Sequence, residues 1–551
     1  MKKILLILLA ISFYSAFTVG KERTKEEKLV IASQVADTRL ATRGKTSAPL
    51  SFIKETDTYS VVGNKMGFVV ISNDDNFDAI IAYSDINFEQ VTMNPAMDWY
   101  FRKVSEILRT SLQNGNLISR AATRPTGDYK AEIPALCASV WAQDKPFNSL
   151  CPTTSNGKAY PSGCVATALS QIMFYYQYPI HGIGSHQYSF TPATGDGRIL
   201  SWDFANTTLD WDNMLCDYSE NDYTETQANA VAELMAAVGV SVDMQYSASG
   251  SGAFSKEARY GVINYWGYNE NLNWLDRNYY STETWMKYIY EELNCNRPIY
   301  YTGDDASNGG HAFVIDGYDK DGLVHVNWGW GPNGGNGYYD IALLNPSGLQ
   351  FSEGQDMLIG ISPTQCLQYQ SCIYSTDPFS VSKVSNLLRV TSGLLYNHTG
   401  DNFSGEVAVI LESSKGIKNV IKTFEFNRVV TYYYLNPNSN IGGLLTLPTP
   451  LEDGEYRVYL ASKCEKDTDW RLVRRSNGQT NSYMITIANG KLSAVGDAVS
   501  EDSWATTAIY IPSINPQQNN NKKYNLLGQP VLDSYKGPVI INGKKVVINA
   551  R

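Results

Sequence analysis

Four side-chain types that together can open an amide bond recur along the middle of this 551-residue chain. Cys164 lies in YPSGCVATALSQIMFYY (160–176), where Val165, Ala168, Leu169, Ile172, Met173 and Tyr176 recur at helical spacing. The thiol therefore falls in the first turn of a core-packed helix, with Ser162 as the expected N-cap. The partial positive charge of a helix start favours thiolate over thiol. A thiolate nucleophile needs a base, a group that orients the base, and donors for the oxyanion formed on attack. The chain has only five histidines, and His311 opens a strand in GGHAFVIDGYD (309–319), behind a glycine lead that lets it reach a cleft. A turn at 319–322 returns the chain as LVHVNWGWG (323–331) and so brings Asn327 toward His311. An Asn carbonyl accepting from the imidazole would fix its tautomer, and Trp328 and Trp330 would shield that bond from water. Gln143, in VWAQDKPFN (140–148), supplies an amide donor to join the Cys164 N–H at the oxyanion.

Taken singly, each residue has an ordinary explanation: a small buried apolar cysteine, a satisfied histidine, an Asn in turn chemistry. The order Gln, Cys, His, Asn on a helix and a hairpin is much rarer by accident. It is the order used by papain-like peptidases, although no C-G-[SA]-C-[WY] surrounds Cys164. The local motifs GCVATA (163–168), GHAFVIDG (310–317) and HVNWGWGP (325–332) resemble the streptopain family of secreted bacterial cysteine peptidases.

That resemblance covers 131–363. It implies Cys164 as nucleophile, His311 as general base, Gln143 as oxyanion donor, and Asn327 and Trp328 as the residues that orient and shelter the histidine. It implies a cysteine endopeptidase working through an acyl-enzyme, with no cofactor and no metal, on protein or peptide substrates. Gly310, Trp330, Gly334 and Gly335 are expected at the substrate, although Pro332 replaces the usual glycine beside that loop. An apolar residue two positions before the cut is the implied preference. GFVVISNDD (67–75), AYSD (82–85) and NPAMDWYFRKVSEIL (94–108) are similar to the streptopain-type propeptide, an intramolecular inhibitor that makes the enzyme a zymogen.

The length suggests several domains. Lys2 and Lys3 before an apolar run from Ile4 predict a signal peptide over 1–20, hence a secreted or cell-surface protein. The propeptide is expected over 21–124. A polar linker at 113–130 ends that unit and offers Arg120, Arg124 and Lys130 as maturation sites. Helical patterns precede strand patterns over 125–363, which predicts an α+β papain-like catalytic domain with a helical half and a sheet half. Short alternating strands over 364–500 predict a β-sandwich. The segment 501–551 reads as a linker and a small β-rich tail. It is similar to type IX sorting signals, which makes outer-membrane secretion machinery a candidate partner.

A net charge of −10 argues against nucleic acid as the main partner, and no later run is apolar enough to span a bilayer. His181 and His186, five apart, do not share a helical face, and no CxxC or HExxH motif occurs, so no metal is expected. Eight cysteines are too few for a disulfide scaffold, although Cys137/Cys151 or Cys366/Cys372 are near enough in sequence to pair. Two rival readings keep the same fold: an inactive papain-like surface binding or inhibitor protein, and a Cys/His amidase or acyltransferase acting on non-protein amides.

Overall fold

The computed structural model describes residues 20–40, 49–91, 94–114, 124–191, 197–304, 309–344, 354–437, 441–476 and 481–499, with four short backbone strands between 523 and 548. The signal-peptide segment up to residue 19, the linker residue Arg120 and most of the sorting-like tail lie outside the described residues.

The N-terminal unit starts with α1 (Lys25–Val35), closed by a capping box in which Thr24 and Glu27 satisfy each other's backbone N–H. β1 (Ser51–Glu55), β2 (Tyr59–Asn64), β3 (Gly67–Ser72) and β4 (Ile80–Ser84) form an antiparallel meander. α2 (Pro95–Asn114) opens with proline at its first position, and Asn94 Oδ1 caps it by accepting from Met97 N–H at 2.7 Å.

The central unit follows with α3 (Cys164–Tyr176), the hairpin β5 (Ser185–Phe190) and β6 (Arg198–Asp203), α4 (Glu225–Ser241) and α5 (Ser255–Asn264). Next come β7 (Asn273–Asp276), α6 (Thr282–Asn294), β8 (Ile299–Gly303), β9 (His311–Tyr318), β10 (Val324–Asn327), β11 (Gly337–Tyr339) and β12 (Gln355–Ile359). Helices thus precede most of the strands, which is the α+β arrangement expected from sequence.

One ten-stranded sheet crosses both units in the order β1-β2-β3-β4-β11-β10-β9-β8-β12-β7. Its central strands are nearly continuous apolar runs because both faces are covered. Phe313, Ile315, Tyr301 and Met357 point into one core, with α2 and α6. Ala312, Val314, Tyr300 and Leu358 point into the other, with α3, α4 and α5. The period-2 alternation of the strands separates the two cores.

The β4–β11 ladder pairs Tyr83 with Tyr338 and Ala82 with Tyr339, so the N-terminal meander extends the catalytic sheet at one edge. At the opposite edge, β7 is covered by the C-terminal unit. There a sheet of strands including Phe403–Ser413, Lys418–Val429, Gly454–Cys464 and Ser482–Ala488 shares a core with the sheet Ser380–Val384, Leu387–Thr391 and Gly442–Leu445. The four strands between 523 and 548 form a small antiparallel sheet of their own.

All eight cysteines are free, so neither Cys137/Cys151 nor Cys366/Cys372 is bridged. Among the described residues no helix is long and apolar enough to cross a membrane.

Candidate active site

Cys164 is the first residue of α3, but the cap differs from the expected one. Gly163, not Ser162, is the N-cap, and no side chain caps the helix. Gly163 has φ 94°, and a Cβ there would stand 2.7 Å from Met244 Sδ and 2.9 Å from the Ser251 carbonyl. Conformation and space both demand glycine just before the thiol. Ser162 instead bonds the segment that carries Gln143: its N–H donates to the Gln143 carbonyl at 3.0 Å. That bond holds the Gln143 backbone against the residue two before Cys164.

β9 brings the histidine to the same place. Ala312, the residue after His311, packs in the same core as Cys164, and its N–H, with those of Val165 and Cys164 itself, favours the thiolate. Burial nevertheless raises the thiol above its ordinary pKa, and the three N–H groups only partly offset it. The helix-start argument from sequence named a real effect and missed the larger one. Burial likewise lowers the His311 pKa, with Asp304 pulling the other way. Its Nε2 is buried without a hydrogen-bond partner among the described residues. Burial thus favours the uncharged forms of both thiol and imidazole, and no hydrogen bond joins the two side chains among the described residues. Alternation along β9 puts position 311 on the face of Phe313, whereas Cys164 belongs to the other core.

Asn327 requires a correction. It pairs with Val314 across the β9–β10 ladder, three positions along from His311, and does not reach the imidazole. Its Nδ2 donates to the Ser139 carbonyl at 2.7 Å and to Gln171 Oε1 at 3.0 Å, and its Oδ1 accepts from Gly329 N–H at 3.1 Å. Trp328 is fully buried, with its ring 4.8 Å from Phe313 and 5.0 Å from Tyr339. It packs under the strand that carries His311 and covers no His311–Asn327 bond. Trp330 is partly buried against the same core.

The glycine loop expected at the substrate is occupied by the N-terminal unit. Asn94 Nδ2 donates to the Gly334 carbonyl at 2.7 Å. Gly335 has φ 79°, and a Cβ there would stand 2.7 Å from Met97 Sδ. Trp99 Nε1 donates to the Asp304 carbonyl at 3.1 Å, and its ring lies against Gly303, the cross-strand partner of His311. Gly310 is exposed at the mouth of β9, near the Asp304 side chain.

The motifs that carry this site are shared. The peptidase C10 family model matches residues 141–339. Streptopain of Streptococcus pyogenes is 32% identical over 323 residues, which are 54% of this chain and 78% of that protein. The chain belongs to the peptidase C10 family. The thiol protease/hemagglutinin PrtT of Porphyromonas gingivalis is 33% identical over 321 residues, 55% of this chain but only 36% of PrtT. A prointerpain A fragment from Prevotella intermedia is 39% identical in its solved structure and superposes with a TM-score of 0.52 over 57% of this chain and 99% of that one. The α+β, papain-like fold and the cysteine-type endopeptidase class follow.

Two features of this C10 peptidase were not read from its sequence. Thr167 and Gln171 stand at i+3 and i+7 from Cys164, a polar stripe in a helix whose first ten residues are all buried. That spacing is the signal in the sequence. The second is another thiol–carboxylate–imidazole group: Asp316 binds His325 Nδ1 at 2.6 Å and the Cys137 N–H at 2.7 Å. Burial and then the Asp316 charge push the Cys137 thiol well above its ordinary pKa. A carboxylate facing sulfur disfavours thiolate, so this group is built for structure.

Proposed function

We propose that this chain is a secreted cysteine endopeptidase made as a zymogen, with Cys164 as nucleophile and His311 as its proton-transfer partner. The observation that carries the reading is the packing of Ala312, the residue after His311, in one core with Cys164, which sets the start of α3 against the mouth of the histidine strand. Once water and substrate enter, transfer of the thiol proton to the imidazole gives the thiolate–imidazolium pair. Sulfur then attacks the peptide carbonyl. The Cys164 N–H and the Gln143 amide stabilise the oxyanion, and the imidazolium protonates the leaving amine. Water, deprotonated by the same imidazole, hydrolyses the acyl-enzyme and restores the thiol.

The unit over 21–124 acts as the propeptide. Asn94 and Met97 fill the Gly334–Gly335 loop, and Trp99 is tied to the residues that pair with and lead toward His311. Its removal opens the loop to substrate and frees the imidazole to turn toward sulfur. Maturation at or before Arg124 fits better than at Lys130. The Lys130 carbonyl accepts from Tyr318 OH at 2.8 Å and its N–H donates to Asn294, which holds that bond away from any cleft.

Expression of Cys164→Ala in a protease-free host tests this reading. The expected product is a full-length precursor without peptidase activity on unfolded protein. Processing of that variant at the wild-type site, or residual turnover by it, would overturn the reading. His311→Ala in trans-processed enzyme should lower kcat by about 10³ or more. Substrate profiling that finds only non-peptide amides cleaved would move the chain to the amidase reading.

A further inference from the structure

Gln171 is fully buried in α3, two turns beyond Cys164, among Ala168, Ile172 and Met173. Its Oε1 accepts from three donors: Asn327 Nδ2 at 3.0 Å, the Trp141 N–H at 3.3 Å and Ser139 Oγ at 3.3 Å. Each contact ties α3 to another part of the site. Trp141 and Ser139 belong to the segment that ends in Gln143. Asn327 precedes Trp328 on the strand paired with β9. Asn327 also donates to the Ser139 carbonyl at 2.7 Å, and Gly331 N–H donates to the Trp141 carbonyl at 2.9 Å, so the two segments are bound to each other as well. A side chain needed only to fill this core would be Leu or Met, because burying an amide costs about 1–3 kcal/mol unless its bonds are made. Gln171 Nε2 has no partner among the described residues, so the working atom is the oxygen.

We propose that Gln171 is a positioning residue for peptide hydrolysis: its carbonyl oxygen holds the nucleophile helix, the oxyanion segment and the Asn327–Trp328 strand in one register. The inference rests on the Cys164/His311 reading above. It gives Asn327 a role different from the one expected of it, which is to hand the register from α3 to the hairpin and not to hold the imidazole. Without the Gln171 oxygen, two buried N–H donors lose an acceptor, and Gln143 and β9 are free to shift against sulfur. A displacement of about 1 Å in such a site costs on the order of 10²-fold in rate.

The test compares Gln171→Leu and Gln171→Glu in trans-processed enzyme. Glutamate keeps an acceptor oxygen and replaces the partnerless Nε2 with a carboxyl oxygen that burial keeps protonated, whereas leucine keeps size and loses the acceptor. Gln171→Leu should lower kcat roughly tenfold to a hundredfold with KM within about twofold. The second-order rate at which a peptidyl epoxide alkylates Cys164 should fall in parallel. Gln171→Glu should restore both to within about threefold. A Gln171→Leu enzyme with a lowered Tm but unchanged kcat and alkylation rate per folded molecule would overturn the inference, as would equal losses in both variants. If Gln171→Leu does not fold, Asn327→Asp puts a carboxylate oxygen against Gln171 Oε1 and should show the same loss of kcat at unchanged KM; wild-type kcat in that variant would also overturn it. Failure of the wild-type enzyme to be labelled at Cys164 would instead sink the catalytic reading, so the two failures are distinct.

Discussion

The ten-stranded sheet ends differently on its two sides. At the β11 edge, the N-terminal unit continues both the sheet and the core of the catalytic unit. Tyr100 is fully buried, 5.2 Å from the Tyr339 ring and 6.3 Å from Trp328, and its hydroxyl donates to the Asp340 carbonyl at 3.1 Å. Arg39 pairs with Asp319 and Asp321, and Tyr83 OH also donates to Asp319. At the β7 edge, the C-terminal unit has a core of its own, adds Cys372 and Tyr374 to the central core, and docks through rings, hydrogen bonds and an ion pair. Tyr279 stacks on Tyr374 at 3.6 Å, Trp274 lies 4.0 Å from His398, and Arg259 binds both Asp401 oxygens. Most of the first neighbour's core is continuous with that of the catalytic unit, whereas most of the second's is its own. The N-terminal unit thus reaches the Gly334–Gly335 loop and the strand paired with His311, whereas the C-terminal unit contacts Arg259 of α5, Trp274 of β7 and Tyr279.

The difference predicts unequal costs. Tyr100→Ala, made in a Cys164→Ala background to prevent self-digestion, should destabilise the N-terminal unit and its docking together by about 3–5 kcal/mol, as for other buried aromatics. Chemical denaturation should show a single transition shifted as a whole. A separate early transition for the N-terminal unit would break the shared-core account. Asp401→Ala leaves the nearly buried Arg259 guanidinium without its carboxylate. It should cost about 1–3 kcal/mol, read as earlier proteolytic release of the sandwich with peptidase turnover intact. Loss of turnover on that change would show that the two edges are not separate in function.

The smallest effect is a pH slope. Burial among Trp274, Tyr374, Tyr396 and Tyr432 lowers the His398 pKa to about 3. Unfolded histidine titrates near about 6.5, so between those values the unfolded chain binds more protons. The His398 contribution is complete above that window and is lost as pH falls through it. Burial raises the nearby Asp276 to about 7 and Asp356 to about 6, and their contribution runs the opposite way, present at low pH and lost as pH rises. His398→Phe should therefore gain on the wild type as pH drops from about 6.5 to about 4.5, by up to ~1–2 kcal/mol, with the Asp terms common to both proteins. Parallel Tm–pH curves would contradict the burial of a neutral imidazole.

Much of the site was legible because its chemistry is written in short runs. The Cys164 helix and the His311–Asn327 hairpin have local periodicity and turn residues, so their types and order could be read directly. What escaped depends on contacts distant in sequence. Asn327 looks like an imidazole partner until the β9–β10 register places it opposite Val314. The β4–β11 pairing joins strands more than half the central unit apart and has no local signature. α5 has no local start signal, because SKEARYGVIN (255–264) follows Phe254, which offers no side-chain cap. The thiol's raised pKa belongs to packing, which a helix-start argument does not include.

The most direct measurement is mass-spectrometric mapping of a peptidyl epoxide on the full-length chain and on the same chain after removal of the N-terminal unit. The account predicts no adduct on the intact chain and a single adduct on Cys164 once the Gly334–Gly335 loop and His311 are released. Equal labelling of Cys164 in both forms would contradict the block. An adduct on a different cysteine, or none after removal, would contradict the assignment of the nucleophile.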